Sequence, residues 1–260
     1  MTGWVSRGCH KVTETHARKS NDQQQQRVRL LERRSGGAMQ EPIALDPQYI
    51  NWNAVLPYSV AVKEVAAGVA ETHRLFHRMN DFLVSSGFER LESLILGNSL
   101  SGILSEFLVK NIARASKTLV ANRKVGGYPD LLPKGHYPED AVLKGGAGVE
   151  VKASIQRGGW QGHSPEDCWL MLFRYEAGAL DGAEWVPLRF TEILCAELCK
   201  EDWAFSGRKG ESRRTPAASI RATGVEKLRA NFVYRIPGVG VGKHRAILAI
   251  HDRLLTPLDE

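Results

Sequence analysis

The stretch GVEVKASI, residues 148–155, is apolar at every second position. Val149, Val151, Ala153 and Ile155 fall on one face of a strand. Glu150, Lys152 and Ser154 fall on the other. Upstream the period is helical. Over 59–84, Val62, Val65, Ala66, Val69, Phe76, Met79 and Phe82 sit near helical spacing, with Ser59 as N-cap and Gly87 as the stop. A second helical stretch is predicted over 89–96 and a third from Ser99 to Ser116. In the third, Leu100, Ile103, Leu104, Phe107, Leu108 and Ile112 make one stripe, and Glu106 lies off its centre.

After 124 the pattern changes. Gly126, Gly127, Pro129, Pro133, Gly135 and Pro138 exclude a helix. The run CWLMLFRYE (168–176) reads as a strand buried on both faces. EWVPLRF (184–190) reads as a third strand, with Pro187 marking an edge or a bulge. The segment 191–203 reads as a helix capped by Thr191, and ANFVYRI (230–236) as a late strand. HRAILAIHDRLL (244–255) is ambiguous. Helices followed by clustered strands predict an α/β protein, a central mixed β-sheet flanked by helices.

Charge divides the chain further. Residues 1–40 carry 8 Lys+Arg against 3 Asp+Glu, residues 41–199 carry 15 against 19, and residues 200–245 carry 11 against 4. A basic start and a basic C-terminal section thus flank an acidic middle, which suits a nucleic-acid partner. Residues 1–38, with QQQQ and RVRLLERRSGG, are expected to be a disordered basic tail, either dispensable or foreign to the natural protein, since organised sequence begins soon after Met39. No apolar run is long enough to span a bilayer. Four scattered cysteines are read as reduced thiols, so a cytoplasmic protein is expected.

Pro129-Asp130 lies in GYPDLLP, and Glu150-Val151-Lys152 follows in GVEVKAS. This pattern resembles the PD-(D/E)xK nuclease superfamily, which has the restriction-endonuclease-like fold. The helix carrying Glu106 resembles the first helix of that core. The resemblance covers about 99–200. It implies a helical N-terminal part over 39–98 and a basic, DNA-contacting section over 201–260.

It also implies an Mg²⁺-dependent endonuclease (Mn²⁺ substituting) acting on DNA, most simply double-stranded. The first role is type II restriction, with a possible homodimer. Repair, recombination or mobile-element nucleases are the nearest alternative, and a non-catalytic nucleic-acid-binding module is the next. Asp130, Glu150, the Val151 carbonyl and Glu106 would then face the metal, because Mg²⁺ takes oxygen ligands. Lys152 would orient water or neutralise charge. The plainer readings are a turn aspartate, a solvated Glu–Lys pair and a surface glutamate.

For DNA contacts, the loop after the strand offers Gln156, Arg157, Trp160, Gln161 and His163 as base-reading, stacking or metal-proximal groups. Trp160 tucked inward is the alternative. Arg208, Lys209, Arg213 and Arg214 are candidates for a phosphate clamp.

Other motifs are excluded. PGVGVGKHR (237–245) has Pro where a P-loop needs its first Gly, and His244 where it needs Ser or Thr. Cys195 and Cys199, four apart on the expected helix, lack a second ligand pair for zinc. His73 and His77 lack the zincin glutamate and a third ligand, and no Gly-x-Ser-x-Gly elbow is present.

Overall fold

A computed structural model describes residues 43–162, 165–179, 185–205 and 217–238. Helix α1 (Val62–Ser85) starts where the Glu64 side chain accepts the Ala61 N–H at 3.2 Å. It therefore begins three residues after Ser59 and uses the acid rather than a serine cap. After a single turn at Leu91–Leu94, α2 (Gly97–Ala115) buries Leu100, Leu104, Leu108, Val109 and Ile112. The predicted stripe is thus rotated toward Val109, and Phe82 of α1 is 69% exposed rather than packed.

The strands are β1 (Leu119–Ala121), β2 (Leu131–Pro133), β3 (Val149–Ser154), β4 (Gln161–Gly162), β5 (Cys168–Ala179), β6 (Trp185–Leu198), β7 (Trp203–Phe205), β8 (Ala218–Ile220) and β9 (Phe232–Arg235). Helix α3 (Ala222–Ala230) lies between the last two. Six strands form a mixed sheet in the order β1-β2-β3-β5-β6-β9, and β4-β8-β7 form a second, antiparallel sheet. In the large sheet β3 and β5 are parallel and all other neighbours antiparallel.

Two apolar layers hold this arrangement. On one face, Val149, Val151, Ala153, Met171, Phe173, Ile193 and Cys195 pack with α1 and α2. On the other, Leu170, Leu172, Leu194, Ala196 and Leu198 pack with Trp160, Trp203, Ile220 and Leu228 of the small sheet, its loops and α3. Burial on both faces explains why β5 reads as one apolar run. Among the described residues no helix is long and apolar enough to cross a membrane.

The segment after Thr191 departs from expectation. It is not a helix but the second half of β6, paired with β5 from Glu192 to Leu198 and with β9 through Glu192, Ile193 and Leu194. Ile193 and Cys195 face the helices, while Leu194, Ala196 and Leu198 face the small sheet. A short run that is apolar on both sides has no telling period, and strand pairing decides its conformation. Cys195 and Cys199 accordingly lie on and just after a strand, not four apart on a helix. Pro187 falls at a bulge: Glu176 pairs with Arg189 and Gly178 with Val186, leaving Pro187 and Leu188 opposite Ala177.

The two large helices cross at Gly68. A Cβ there would come within 2.6 Å of Ile112 Cγ1 and 2.8 Å of the Ile112 backbone. Beside it, Thr72 donates to the Gly68 carbonyl and Asn111 donates to Thr72. Gly68→Ala would gain about 1 kcal/mol of helix propensity. The clash falls on backbone, which moves only with the whole of α2, so overpacking of about 1–3 kcal/mol prevails. Urea titration is expected to show a lower midpoint for Gly68→Ala. A midpoint equal to or above the wild-type value would contradict this packing.

Candidate functional site

The site begins where two strands part. β2 pairs with β3 only at Leu131 and Val149. Beyond that pair the chain of β2 bends away at Asp130, so the inner edge of β3 loses its backbone partner at Val151. The Val151 N–H is satisfied by the Asp130 carboxylate, at 2.9 Å. One pleat further the Ala153 N–H is accepted by Ser105 Oγ of α2, at 2.8 Å. In a strand the N–H and C=O of one residue point to the same side. The Val151 carbonyl therefore opens on the gap that Asp130 occupies.

Asp130 is held there by Asn122, which follows β1. The Asn122 N–H donates to the Asp130 carbonyl at 2.8 Å. Its side-chain amide donates to the Pro129 and Val142 carbonyls, each at 2.9 Å. The Tyr128–Pro129 peptide is cis.

The Asp130 and Glu150 carboxyls are close enough to act on each other, and both feel the Lys152 charge. Glu106 lies next to Ser105 on α2. It stands exposed at the rim of the gap, near enough for its charge to act on Asp130. Asp130, Glu150 and Lys152 thus lie side by side, while Glu106 stands exposed on α2 within charge range of Asp130.

Burial pushes the Asp130 carboxyl above its ordinary value. The Glu106 charge adds to the rise, and the Val151 bond, the Glu150 side chain and Lys152 oppose it. Burial likewise raises Glu150, to about 8, with the Asp130 and Glu166 charges adding and Lys152 opposing. Lys152 is pushed down by its own burial, against the pull of Glu150 and Asp130. Near neutral pH burial and the neighbouring Asp130 charge therefore favour the protonated form of Glu150.

Glu150 and Lys152 open into a cavity of about 260 Å³ lined also by Tyr128, Gln161, Glu166, Cys168, Leu170 and Trp203. Burial and the neighbouring Glu150, Glu166 and Asp167 charges push the Cys168 thiol up to about 12, so it is no nucleophile at neutral pH.

Among the proposed DNA contacts, Gln161 lines this cavity, and Gln156 and Arg157 are exposed on the loop after β3. Trp160 is a correction. It is 1% exposed, packed in the core, with its indole N–H donated to the Gln156 carbonyl at 2.9 Å, so its ring is not offered to a base. The indole is the largest apolar surface in that loop and closes the layer over Leu172. His163, Arg208, Lys209, Arg213 and Arg214 lie outside the described residues. His73 is buried in α1 against Phe190, and burial lowers its imidazole to about 4.

Ser105, Asn122, Tyr128, Glu166, Cys168 and Trp203 belong to the site without any motif that marks them. Ser105 and Tyr128 adjoin motif residues, and that proximity is the one usable signal among the six. Among the described residues no three or more His, Cys, Asp or Glu side chains are grouped to hold a metal ion. No family model matches the chain, and no curated protein matches it.

The raised Glu150 pKa bears on stability. Between its unfolded value of 4.5 and about 8 the native state binds the extra proton, so stability falls as pH rises through that window. The effect is on the order of a few kcal/mol. In chelator, the urea midpoint is expected to drop from pH 5.5 to 8.5, and Asp130→Asn is expected to flatten the drop. A midpoint that is level over this range in the wild type would contradict the paired carboxyls.

Proposed function

We propose that the chain is a metal-dependent DNA endonuclease with a restriction-endonuclease-like core and a PD-(D/E)xK site. The observation that carries this reading is the Asp130 carboxylate seated on the Val151 N–H beside Glu150, with Lys152 next along the same face. An α/β core of helices on a mixed sheet and a cavity lined by Glu150 and Lys152 support it.

The donor set suits Mg²⁺, with Mn²⁺ as a substitute. Asp130 and Glu150, both raised by burial, would be relieved by a hard cation, and the Val151 carbonyl opens beside them. Such an ion retains water, so two carboxylates and one carbonyl suffice without a third acidic side chain. Glu106, exposed on α2 within charge range of Asp130, would meet a metal-held water. When bound, Mg²⁺ supplies polarisation of a phosphate oxygen and activation of water.

The chain's own residues do the rest. Asp130 is fixed at two points, by Asn122 on its carbonyl and by Val151 on its carboxylate, so its free oxygen keeps one direction. Glu150 stands on a central strand and would hold the cation in its deprotonated form. The Lys152 ammonium, beside the space where a phosphate would lie, orients the attacking water and offsets charge on the phosphoryl oxygens. Its lowered pKa lets it release a proton more readily than an ordinary lysine. The cavity past Glu150 has room for the sugar-phosphate on one side of the cut. A type II restriction role suits a chain of this size, with repair, recombination or mobile-element nucleases sharing the same chemistry.

Plasmid incubated with the protein and Mg²⁺ is expected to be nicked and linearised, and EDTA is expected to stop it. Lys152→Ala is expected to lower the rate by about 10²–10³-fold, the size of removing one electrostatic stabiliser from a transition state. No cutting of duplex or single-stranded DNA in Mg²⁺ or Mn²⁺, or cutting that Lys152→Ala leaves intact, would overturn the reading.

A further inference from the structure

Between β1 and β2 the chain makes a braced projection. The Gly127 N–H donates to the Lys124 carbonyl at 2.9 Å and Gly126 has a φ of 67°, so residues 124–127 close a type II turn with Val125 at its first corner. Val125 is 94% exposed. The chain before β3 returns alongside. The Tyr128 N–H donates to the Leu143 carbonyl at 3.1 Å and the Gly145 N–H to the Tyr128 carbonyl at 2.8 Å. Leu143 is 62% exposed. A Cβ on Gly127 would strike the Val142 carbonyl and lie 2.6 Å from Asn122 Nδ2 and 2.8 Å from the Lys124 carbonyl oxygen, so the two segments are pressed together there.

Asn122 ties this projection to Asp130. The residue whose N–H holds the Asp130 carbonyl, and whose amide nitrogen holds the Pro129 carbonyl, also accepts with its amide oxygen the Lys124 N–H at 3.0 Å and the Val142 N–H at 3.2 Å. Val125 is three residues from Asn122, so their Cα atoms are at most about 11 Å apart. Tyr128, three residues past Val125, lines the cavity beside Glu150 and Lys152. Arg123, Lys124 and Lys144 are exposed on the same two segments, and residues 122–128 and 142–146 contain no acid. Among the described residues none of these three cations has a carboxylate within ion-pair distance. Asp140, whose carbonyl accepts the Arg123 N–H, has its side chain turned to the Gly135 N–H at 2.8 Å.

We infer that this turn and the segment beside it hold duplex DNA next to the cut, with Val125 and Leu143 in a groove and Arg123, Lys124 and Lys144 on the phosphates that flank it. This inference rests on the proposed nuclease function and names how its substrate is held. Three features favour it. The projection is fixed to the same Asn122 that fixes Asp130, so whatever lies on Asp130 meets the turn within a few base pairs. Unpaired surface cations displace counterions from phosphates, and aliphatic side chains pack against or between base steps. The turn is closed by its own hydrogen bonds, so little freedom is lost on binding. A lipid surface fits less well, because it takes up the long apolar face of an amphipathic helix rather than two side chains on a turn.

The test is the salt dependence of duplex binding by the full chain in EDTA, read by anisotropy of a labelled oligonucleotide. Plasmid cleavage in Mg²⁺ is measured alongside. For Arg123→Gln, Lys124→Gln and Lys144→Gln combined, the slope of log K against log salt is expected to shrink by about 2–3, roughly 0.9 for each phosphate no longer neutralised. The same loss of charge on α1, by Lys63→Gln, Arg74→Gln and Arg78→Gln, is expected to leave the slope at its wild-type value. Val125→Ser with Leu143→Ser is expected to weaken binding about 10-fold with the slope unchanged, the scale of burying part of two aliphatic side chains. All these side chains are on the surface, so each variant is expected to keep the wild-type urea midpoint.

A wild-type slope in the turn variant, or an equal fall in the α1 variant, overturns the inference, and cutting that still depends on Lys152 then leaves the nuclease reading standing. Wild-type affinity in the serine variant overturns the groove contact. Turn-dependent DNA binding without cutting in any divalent metal supports the turn and removes the nuclease. Tighter turn-dependent binding to phosphatidylserine vesicles than to duplex DNA would assign the turn to a lipid surface and overturn the inference.

Discussion

The site depends on one unpaired backbone donor. A buried N–H must find an acceptor, and the Val151 N–H loses its strand partner where β2 turns away from β3. The Asp130 side chain takes that place. This single bond brings a carboxylate from outside the sheet against Glu150, which the strand holds fixed. The same edge, one pleat further on, is closed by Ser105 of α2, the residue before Glu106. Three elements distant in sequence meet because one strand edge is left open and is capped by side chains.

The rest of the fold makes that edge rigid. β3 lies between β2 and the long β5–β6 pair, with α1 and α2 packed on its apolar face. Its polar face is covered only in part, because the small sheet and α3 lie over Leu170, Leu172 and Leu194 and leave Glu150 and Lys152 at a cavity. Two acids and a lysine held in half-buried positions oppose folding, and the surrounding apolar layers offset that cost. Such local conflict between charge and burial is common where a site is built to meet a ligand.

Much of this is legible in the residues. The alternation of Val149, Val151 and Ala153 against Glu150 and Lys152 has one reading as a strand, and its apolar face is buried as that reading requires. The site acids stand out because Pro-Asp and Glu-x-Lys are local patterns. Trp160 is harder: a tryptophan in a glycine-rich loop serves the surface or the core equally well, and only the open layer over Leu172 decides. The part of β6 after Thr191 reads as a helix because strand pairing on both edges, not local preference, sets its conformation. Glu166 and Cys168 carry no such signal, since their place beside Glu150 follows from the parallel pairing of β3 with β5, which leaves no mark in either segment.

The most direct test is to soak crystals in Mn²⁺ and locate it by anomalous scattering. The account predicts a peak about 2.1 Å from oxygens of Asp130, Glu150 and the Val151 carbonyl, abolished in Asp130→Asn. A Mn²⁺-soaked crystal with Asp130 still bound to Val151 and no peak between the two carboxylates would contradict it.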